Sequence, residues 1–228
     1  LERTDGYCTD VYVDEALAFV RARVEAEEPF FAYVAPNAPH GPFHDVPEGL
    51  YQADLERDLA SVRTSEKAKL DVIARIYAMV ENIDQNFGRL RDGLEELGGT
   101  DDTIVVFLTD NGPTRGRYVR GLTGAKTDVH EGGIRSPLWV RWPDRLSPRT
   151  SVDVPLAHID LMPPLLDAVN ADVPDGVTLD GRRALGLRVR LLADLPEPRR
   201  RRPRQRPAGP RRRVGAGARD ARQHGRVA

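Results

Sequence analysis

The 228-residue sequence contains one cysteine, Cys8, and only three lysines. A single thiol cannot form a disulfide within the chain, which excludes the small domains that depend on a disulfide framework. No apolar run is long enough to span a membrane, and the first residues lack the basic and apolar segments of a signal peptide. We therefore expect a globular protein whose first residues already lie inside a domain.

Charge is distributed unevenly, although the formal net charge is only −1. Residues 182–228 contain 16 Arg and 3 acidic residues, giving +13, whereas residues 1–181 contain 18 Lys plus Arg and 32 Asp plus Glu, giving −14. The tail is rich in Arg, Pro, Gly and Ala and has no periodic apolar face, which predicts disorder. A shifted reading frame in a G+C-rich gene would encode such residues, and we favour that origin over an arm that binds nucleic acid or another polyanion.

Apolar periodicity predicts the secondary structure of the first 181 residues. The predicted elements are a helix over 13–24, a strand over 30–35 (FFAYVA), a long helix over 66–97 capped by Thr64 or Ser65 and stopped by Gly98-Gly99, strands over 103–108 and 136–142, and a short helix over 160–169. This order predicts an α/β sheet with helices on its faces. In such sheets, ligands bind beyond the carboxyl ends of the strands.

Two polar clusters follow predicted strands and are therefore candidate site segments. In the second, Thr109–Pro113, Asp110 and Asn111 offer hard oxygen ligands that would suit calcium or magnesium. The alternative is an ordinary turn, because Asp, Asn, Gly and Pro are all turn formers.

Two further side chains could act on an anion. Lys126 lies in a loop of small residues and could hold an anionic oxygen, or it is a solvated loop lysine. His40 ends the first polar cluster, Pro36–His40, and could donate a hydrogen bond to an anion or a leaving group. The alternative is that His40 is a turn residue whose ring bonds to the backbone.

The order and spacing of these segments are more specific than any one of them. The series is PNAPH at 36–40, ENID at 81–84, TDNGP at 109–113, GAKTDVHEGGIRSP at 124–137, Trp142-Pro143, His158-Ile159-Asp160 and LDGR at 179–182. Over roughly residues 5–182 it resembles the C-terminal part of the catalytic domain in the bacterial arylsulfatase family, within the alkaline-phosphatase-like superfamily. The resemblance implies a sulfatase-like α/β sheet with helices on both faces.

The resemblance also implies site residues and a cofactor. Asp110 and Asn111 match two metal ligands of the family, usually for Ca²⁺, with Mg²⁺ as the alternative. Lys126 matches the lysine that contacts the sulfate, and His40 matches the histidine that contacts the sulfate and the leaving oxygen. Residues 131–135 (EGGIR) match a structural loop.

One expected part of the family's site is missing from the sequence. The nucleophile is a formylglycine made from the first residue of Cys/Ser-x-Pro-x-Arg, and no such motif occurs. Cys8 does not fit this motif and is expected to be a small, buried or partly exposed residue without a catalytic role. We therefore expect 1–181 to be a partial sulfatase domain that lacks the N-terminal half, followed by the 182–228 tail. The chain alone should be inactive, whereas its parent enzyme should hydrolyse a small-molecule or sugar sulfate ester.

Two other classes of function remain open from the sequence. One is a phosphoesterase or phosphonate hydrolase of the same superfamily, and the other is a non-enzymatic fragment with a polyanion-binding tail. We expect neither a nucleic acid nor a membrane as a partner. The oligomeric state and the compartment stay open, although related bacterial enzymes are often periplasmic or exported.

Overall fold

A computed structural model describes residues 5–43, 45–58, 67–114, 119, 121–151 and 153–182. The chain divides into two units, Leu1–Leu156 and Ala157–Ala228. The elements of the first unit are α1 (Cys8–Glu25), α2 (Glu48–Asp58), α3 (Lys67–Glu96), β1 (Val105–Leu108), α4 (Glu131–Ile134) and β2 (Leu138–Arg141). The second unit contains a 3-10 turn (His158–Leu161) and α5 (Met162–Val169). The predicted cap at Thr64 or Ser65 and the predicted disordered tail from residue 183 lie outside the described residues.

Helix α1 packs on α3 through the apolar stripe that the sequence predicts. Val13 and Val20 on this stripe are buried. Leu17, between them, lies so close to Gly93 of α3 that a Cβ at position 93 would come within 2.5 Å of the Leu17 Cδ2 atom. The two helices therefore approach closely because α3 carries a glycine at the contact.

A buried polar network fixes how α1 lies against α3. The Asp10 carboxylate accepts hydrogen bonds from the side-chain amides of Asn82, at 2.8 Å, and Asn86, at 2.6 Å. Both asparagines are buried. Buried amides need partners, and a shift of one turn along either helix would take Asp10 away from this pair, whose other bonds lie within α3. The network therefore specifies the register of the two helices.

Helix α3 ends at the two glycines that were predicted to stop it. Gly98 adopts a left-handed conformation (φ +69°), and its N–H donates to the Glu95 carbonyl at 2.9 Å. The Gly99 N–H donates to the Leu94 carbonyl, also at 2.9 Å. These bonds satisfy carbonyls at the end of the helix, so the chain can turn sharply into β1.

Strands β1 and β2 form a two-stranded antiparallel sheet, with Val105 opposite Arg141 and Leu108 opposite Leu138. The Phe107 ring of β1 packs against Phe87 of α3, and their centroids are 5.4 Å apart. The sheet therefore contacts the long helix through this pair of aromatic rings. Helices around a small sheet agree with the predicted class, a partial α/β domain, although both strands are shorter than predicted.

Two expectations about individual segments are wrong, and one helix was missed. Residues 30–35 do not form a buried strand, because no strand among the described residues pairs with them, and Phe31 and Tyr33 are 80% and 82% exposed. Cys8 is exposed at the start of α1 rather than buried or partly exposed. Helix α2 was not predicted, because its sequence EGLYQADLERD has too few apolar residues for a clear stripe.

In the second unit, Asp160 organises the backbone. Its carboxylate accepts hydrogen bonds from the Ala157 N–H at 2.8 Å and the Arg182 N–H at 2.6 Å. These bonds lower the pKa of Asp160, because they stabilise the charged form. The residue therefore does not begin α5 as predicted; it lies in the 3-10 turn before Met162 and ties that turn to Arg182. No helix in the described ranges is both long and apolar enough to cross a membrane.

Candidate active site

Two loops of the first unit are joined by backbone hydrogen bonds at the carboxyl end of β1. The Gly112 N–H donates to the Gly133 carbonyl at 2.8 Å, and the Lys126 N–H donates to the Pro113 carbonyl, also at 2.8 Å. The first loop carries Asp110 and Asn111, so the structure brings the predicted metal ligands and the predicted sulfate-contacting lysine into neighbouring backbone segments. We call the Thr109–Pro113 and Gly124–Arg135 segments together the paired loops.

Three glycines allow the paired loops to pack backbone against backbone. A Cβ at Gly112 would lie 2.0 Å from the Gly132 carbonyl oxygen. A Cβ at Gly132 would lie 2.2 Å from the Gly124 oxygen, and one at Gly133 would lie 2.3 Å from the Ala125 oxygen. No side chain fits at these distances, so the predicted structural role of the Glu-Gly-Gly sequence has a direct steric basis.

The segment around Lys126 is a tight turn held by its own hydrogen bonds. The Ala125 N–H donates to the Asp128 carboxylate at 2.9 Å, and the Asp128 N–H donates to the Ala125 carbonyl at 2.9 Å. Thr127 adopts a positive φ of 80° within this turn. Lys126 is half-buried, so part of its side chain is shielded from solvent. The hydrogen-bonded turn fixes the position of its backbone.

Asp110 and Asn111 provide a fitting but incomplete set of metal ligands. Asp110 is exposed and Asn111 is half-buried, and the structure gives neither side chain a hydrogen bond or ion pair among the residues it describes. A carboxylate and an amide oxygen are the donors that Ca²⁺ and Mg²⁺ prefer. No group of three or more His, Cys, Asp or Glu side chains that could hold a metal occurs in the described ranges. Ca²⁺ takes six to eight oxygens, so other groups must complete any site built on this pair.

His40 lies on a different loop, between α1 and α2. Its ring Nδ1 atom is 2.7 Å from the Gly41 carbonyl oxygen. A carbonyl can only accept, so Nδ1 carries a proton in this contact, and in the neutral ring Nε2 then keeps its lone pair. The side chain is exposed, so Nε2 can bind a ligand or a proton. Within the described residues, no hydrogen bond links His40 to Asp110, Asn111 or Lys126. The structure therefore brings together the backbone segments of three of the four predicted residues.

A polar cluster that the sequence did not reveal supports the His40 loop. Arg75 of α3 donates from Nη1 to the Phe43 carbonyl at 3.1 Å and from Nε to the Asp71 carboxylate at 3.0 Å. Tyr51 of α2 donates its hydroxyl to Asp71 at 2.5 Å. Only the Asp71–Arg75 pair, four residues apart on one helix, could have been predicted from spacing.

The cluster makes part of the stability dependent on pH. The Arg75 hydrogen bond, and then the Tyr51 hydrogen bond, lower the pKa of Asp71 below its ordinary value. A lowered folded-state pKa stabilises the fold above the unfolded value of about 3.9, and this contribution is lost as the pH falls through the folded pKa. Urea unfolding of the wild type and Asp71→Asn from pH 7 to pH 3 should therefore show a stability difference that shrinks with acid.

Asp84→Asn, the same change on the exposed side of α3, controls for the altered net charge. If the wild type remained more stable than Asp71→Asn by the same amount down to pH 3, the folded state would not hold Asp71 in its charged, hydrogen-bonded form.

Comparisons with known proteins bear on this site. A family model described as Sulfatase matches residues 2–171. The chain is 30% identical over 183 residues to "Uncharacterized sulfatase YdeN" of Escherichia coli K12, covering 77% of this chain and 30% of the relative. It is 30% identical over 188 residues to "Sulfatase" of Formosa agariphila, covering 76% and 32%. The chain spans about a third of the length of these curated relatives.

A solved structure has the same architecture. The chain superposes on the crystal structure of Ps i-CgsB in complex with k-i-k-neocarrahexaose with a TM-score of 0.68 and 27% identity, covering 79% of this chain and 38% of that one. A second, described as the putative sulfatase yidJ from Bacteroides fragilis, gives a TM-score of 0.60 at 25% identity, covering 72% and 37%. The similarity therefore holds in sequence and in three dimensions.

Proposed function

The chain belongs to the sulfatase family, which has the alkaline-phosphatase-like fold, and from this we propose that its residues form part of the active site of a sulfuric ester hydrolase. The observation that carries the proposal is the pair of 2.8 Å backbone bonds that hold the Asp110–Asn111 segment beside Lys126. Two oxygen ligands for a cation and one ammonium group would then face the same anion. A sulfate monoester is an anion of this kind.

Lys126 and His40 would act directly on the substrate. The ammonium group of Lys126 would contact a non-bridging sulfate oxygen and stabilise its negative charge. Negative charge also builds up on the ester oxygen as it leaves. His40, whose Nδ1 is bound to the Gly41 carbonyl, would hold a proton on Nε2 and donate it to that oxygen.

Asp110 and Asn111 would be protein ligands of a divalent cation, with Ca²⁺ preferred over Mg²⁺ by the resemblance. Bound there, the cation would add positive charge next to the sulfate oxygens. Within the described residues these two side chains have no competing partner. That freedom supports their role as ligands, because a carboxylate already paired with an arginine would bind a cation less well.

The remaining elements of catalysis would come from outside these residues. The 228 residues contain no Cys/Ser-x-Pro-x-Arg sequence, from which the family's formylglycine nucleophile is made. We therefore propose that the parent enzyme hydrolyses a sulfate ester through that nucleophile and that the isolated chain has no turnover. The oligosaccharide bound to Ps i-CgsB and the name of a Bacteroides thetaiotaomicron relative, "Endo-4-O-sulfatase", support a sugar sulfate as the substrate class.

A calcium titration of the chain, followed by ¹H–¹⁵N NMR, tests the metal ligands. We expect the shift changes to concentrate at Asp110, Asn111 and Gly112, with a dissociation constant of about 1 mM or weaker, because two ligands give only a weak site. Asp110→Ala should abolish these changes. Asp101→Ala, which removes an exposed carboxylate at the other end of β1, should leave them in place. Shift changes that persist in Asp110→Ala would show that the cation binds elsewhere.

A further inference from the structure

One arginine of α3 is connected to the loop that carries His40. Arg75 binds the Phe43 carbonyl through Nη1, at 3.1 Å. This contact crosses 32 residues of sequence and links the helix to this part of the loop. Phe43 lies three residues after His40, so the arginine acts close to the proposed proton donor.

The guanidinium group of Arg75 is itself held on two other sides. Its Nε atom donates to the Asp71 carboxylate at 3.0 Å, and its Cζ atom lies 4.8 Å from the centroid of the Tyr51 ring. Tyr51 donates in turn to Asp71. A planar group that is stacked on one face and hydrogen-bonded along its edge has little rotational freedom. Arg75 therefore presents Nη1 to the loop in a preset direction.

Phe43 transmits this constraint back to His40. Its side chain packs against the buried cluster of Ala38, Val46, Ala78 and Met79. Its ring also lies beside Gly41, where a Cβ would be 3.5 Å from the ring edge. Phe43 is thus held by its carbonyl and by its ring, and the ring lies next to Gly41, two residues before it. The Gly41 carbonyl is the group that accepts the His40 Nδ1 proton.

We infer that Arg75 is a positioning residue for His40. By holding Phe43, it keeps the Gly41 carbonyl directed at Nδ1, which keeps the proton of the neutral ring on Nδ1 and leaves Nε2 to exchange a proton with the ligand. The inference rests on the role proposed for His40. The Tyr51 ring and the Asp71 carboxylate orient Arg75, so their effect on the histidine passes through the arginine. This resembles the way a carbonyl fixes the tautomer of a metal-binding histidine from its other nitrogen.

The test is the tautomer of His40 in the full chain, read from the ring ¹⁵N shifts of histidine-labelled protein at alkaline pH. His40→Gln identifies its signals among those of the five histidines. We expect the Nδ1–H form to predominate in the wild type and to lose that predominance in Arg75→Gln. Arg75→Lys keeps the charge, but an ammonium group lacks the planar guanidinium that reaches Asp71 and Phe43 together. The Nδ1–H form should therefore lose its predominance in this variant as well.

Two variants serve as matched controls. Arg89→Gln makes the same change on the same helix but removes contacts to Asp14 and Asn86 instead, and Tyr51→Phe leaves the Arg75–Phe43 bond in place. Both should keep the wild-type tautomer, and far-UV circular dichroism shows which variants keep their helices. An unchanged Nδ1–H population in a folded Arg75 variant would overturn the inference. The tautomer is measured without sulfate or metal. A negative result would therefore count against the inference about Arg75 and not against the proposed function.

Discussion

Gly112→Ala should destabilise the first unit by about 3 kcal/mol, at the upper end of the cost of overpacking a close contact. The added Cβ would lie 2.0 Å from the Gly132 carbonyl oxygen and 2.9 Å from its carbonyl carbon. Backbone atoms cannot rotate away as a side chain does, so the paired loops must separate. Separation breaks the 2.8 Å bond from the Gly112 N–H to the Gly133 carbonyl. Urea unfolding and the NMR shifts of residues 109–135 measure both effects.

Gly88→Ala is the matched control. Gly88 lies inside α3, and a Cβ there would meet nothing within 4 Å. Because alanine favours a helix more than glycine does, this variant should gain about 0.5–1 kcal/mol. Opposite signs for the two substitutions are the expected result. Equal small effects would mean that the paired loops do not pack as described.

Lys126→Ala should lower kcat/KM for a sulfate ester by about 10²–10³-fold, the loss expected when one preorganised donor to a developing charge is removed. Because we propose that the isolated chain has no turnover, the assay uses a chimera. Residues 2–171, the range that the family model matches, replace the matching segment of a sulfatase that turns over 4-nitrophenyl sulfate. A loss of less than about threefold, which corresponds to less than 0.7 kcal/mol, would remove Lys126 from the site.

Arg21→Ala controls for the loss of one positive charge in the same chimera. Arg21 is exposed on α1, and its removal should change kcat/KM by less than about twofold. Lys126→Arg keeps the positive charge but changes the geometry of the group that carries it. A guanidinium is a wider, planar donor than an ammonium, so this variant should recover only part of the lost activity.

The helices of the first unit were predictable because their signals are local. The stripe that includes Val13 and Val20 indicated α1, and Gly98 marked the end of α3, since both depend on residues within a few turns. The FFAYVA run was misread for a related reason. Its composition favours a strand, but a strand also needs a hydrogen-bonded neighbour, and no local pattern reveals whether one is present.

The same distinction between local and long-range signals applies to the candidate site. The proximity of Asp110 and Lys126 could be expected from the family resemblance, which assigns both residues to one site. The Arg75–Phe43 contact could not, because it joins residues 32 positions apart through a backbone carbonyl, which has no sequence signature. Asn82 likewise stood out only as part of the ENID motif, and Asn86 did not stand out at all. Their bonds to Asp10 arise from the packing of α1 on α3.

The most direct test of the central proposal is the turnover of 4-nitrophenyl sulfate by three proteins under one set of conditions. These are the isolated chain, the chimera that contains residues 2–171, and the host sulfatase with that segment deleted. The proposal predicts turnover by the chimera and none by the other two, because each half supplies groups that the other lacks. A folded chimera without turnover would contradict the proposal that this segment supplies sulfatase site residues. Turnover by the isolated chain would contradict the proposal that its nucleophile lies elsewhere.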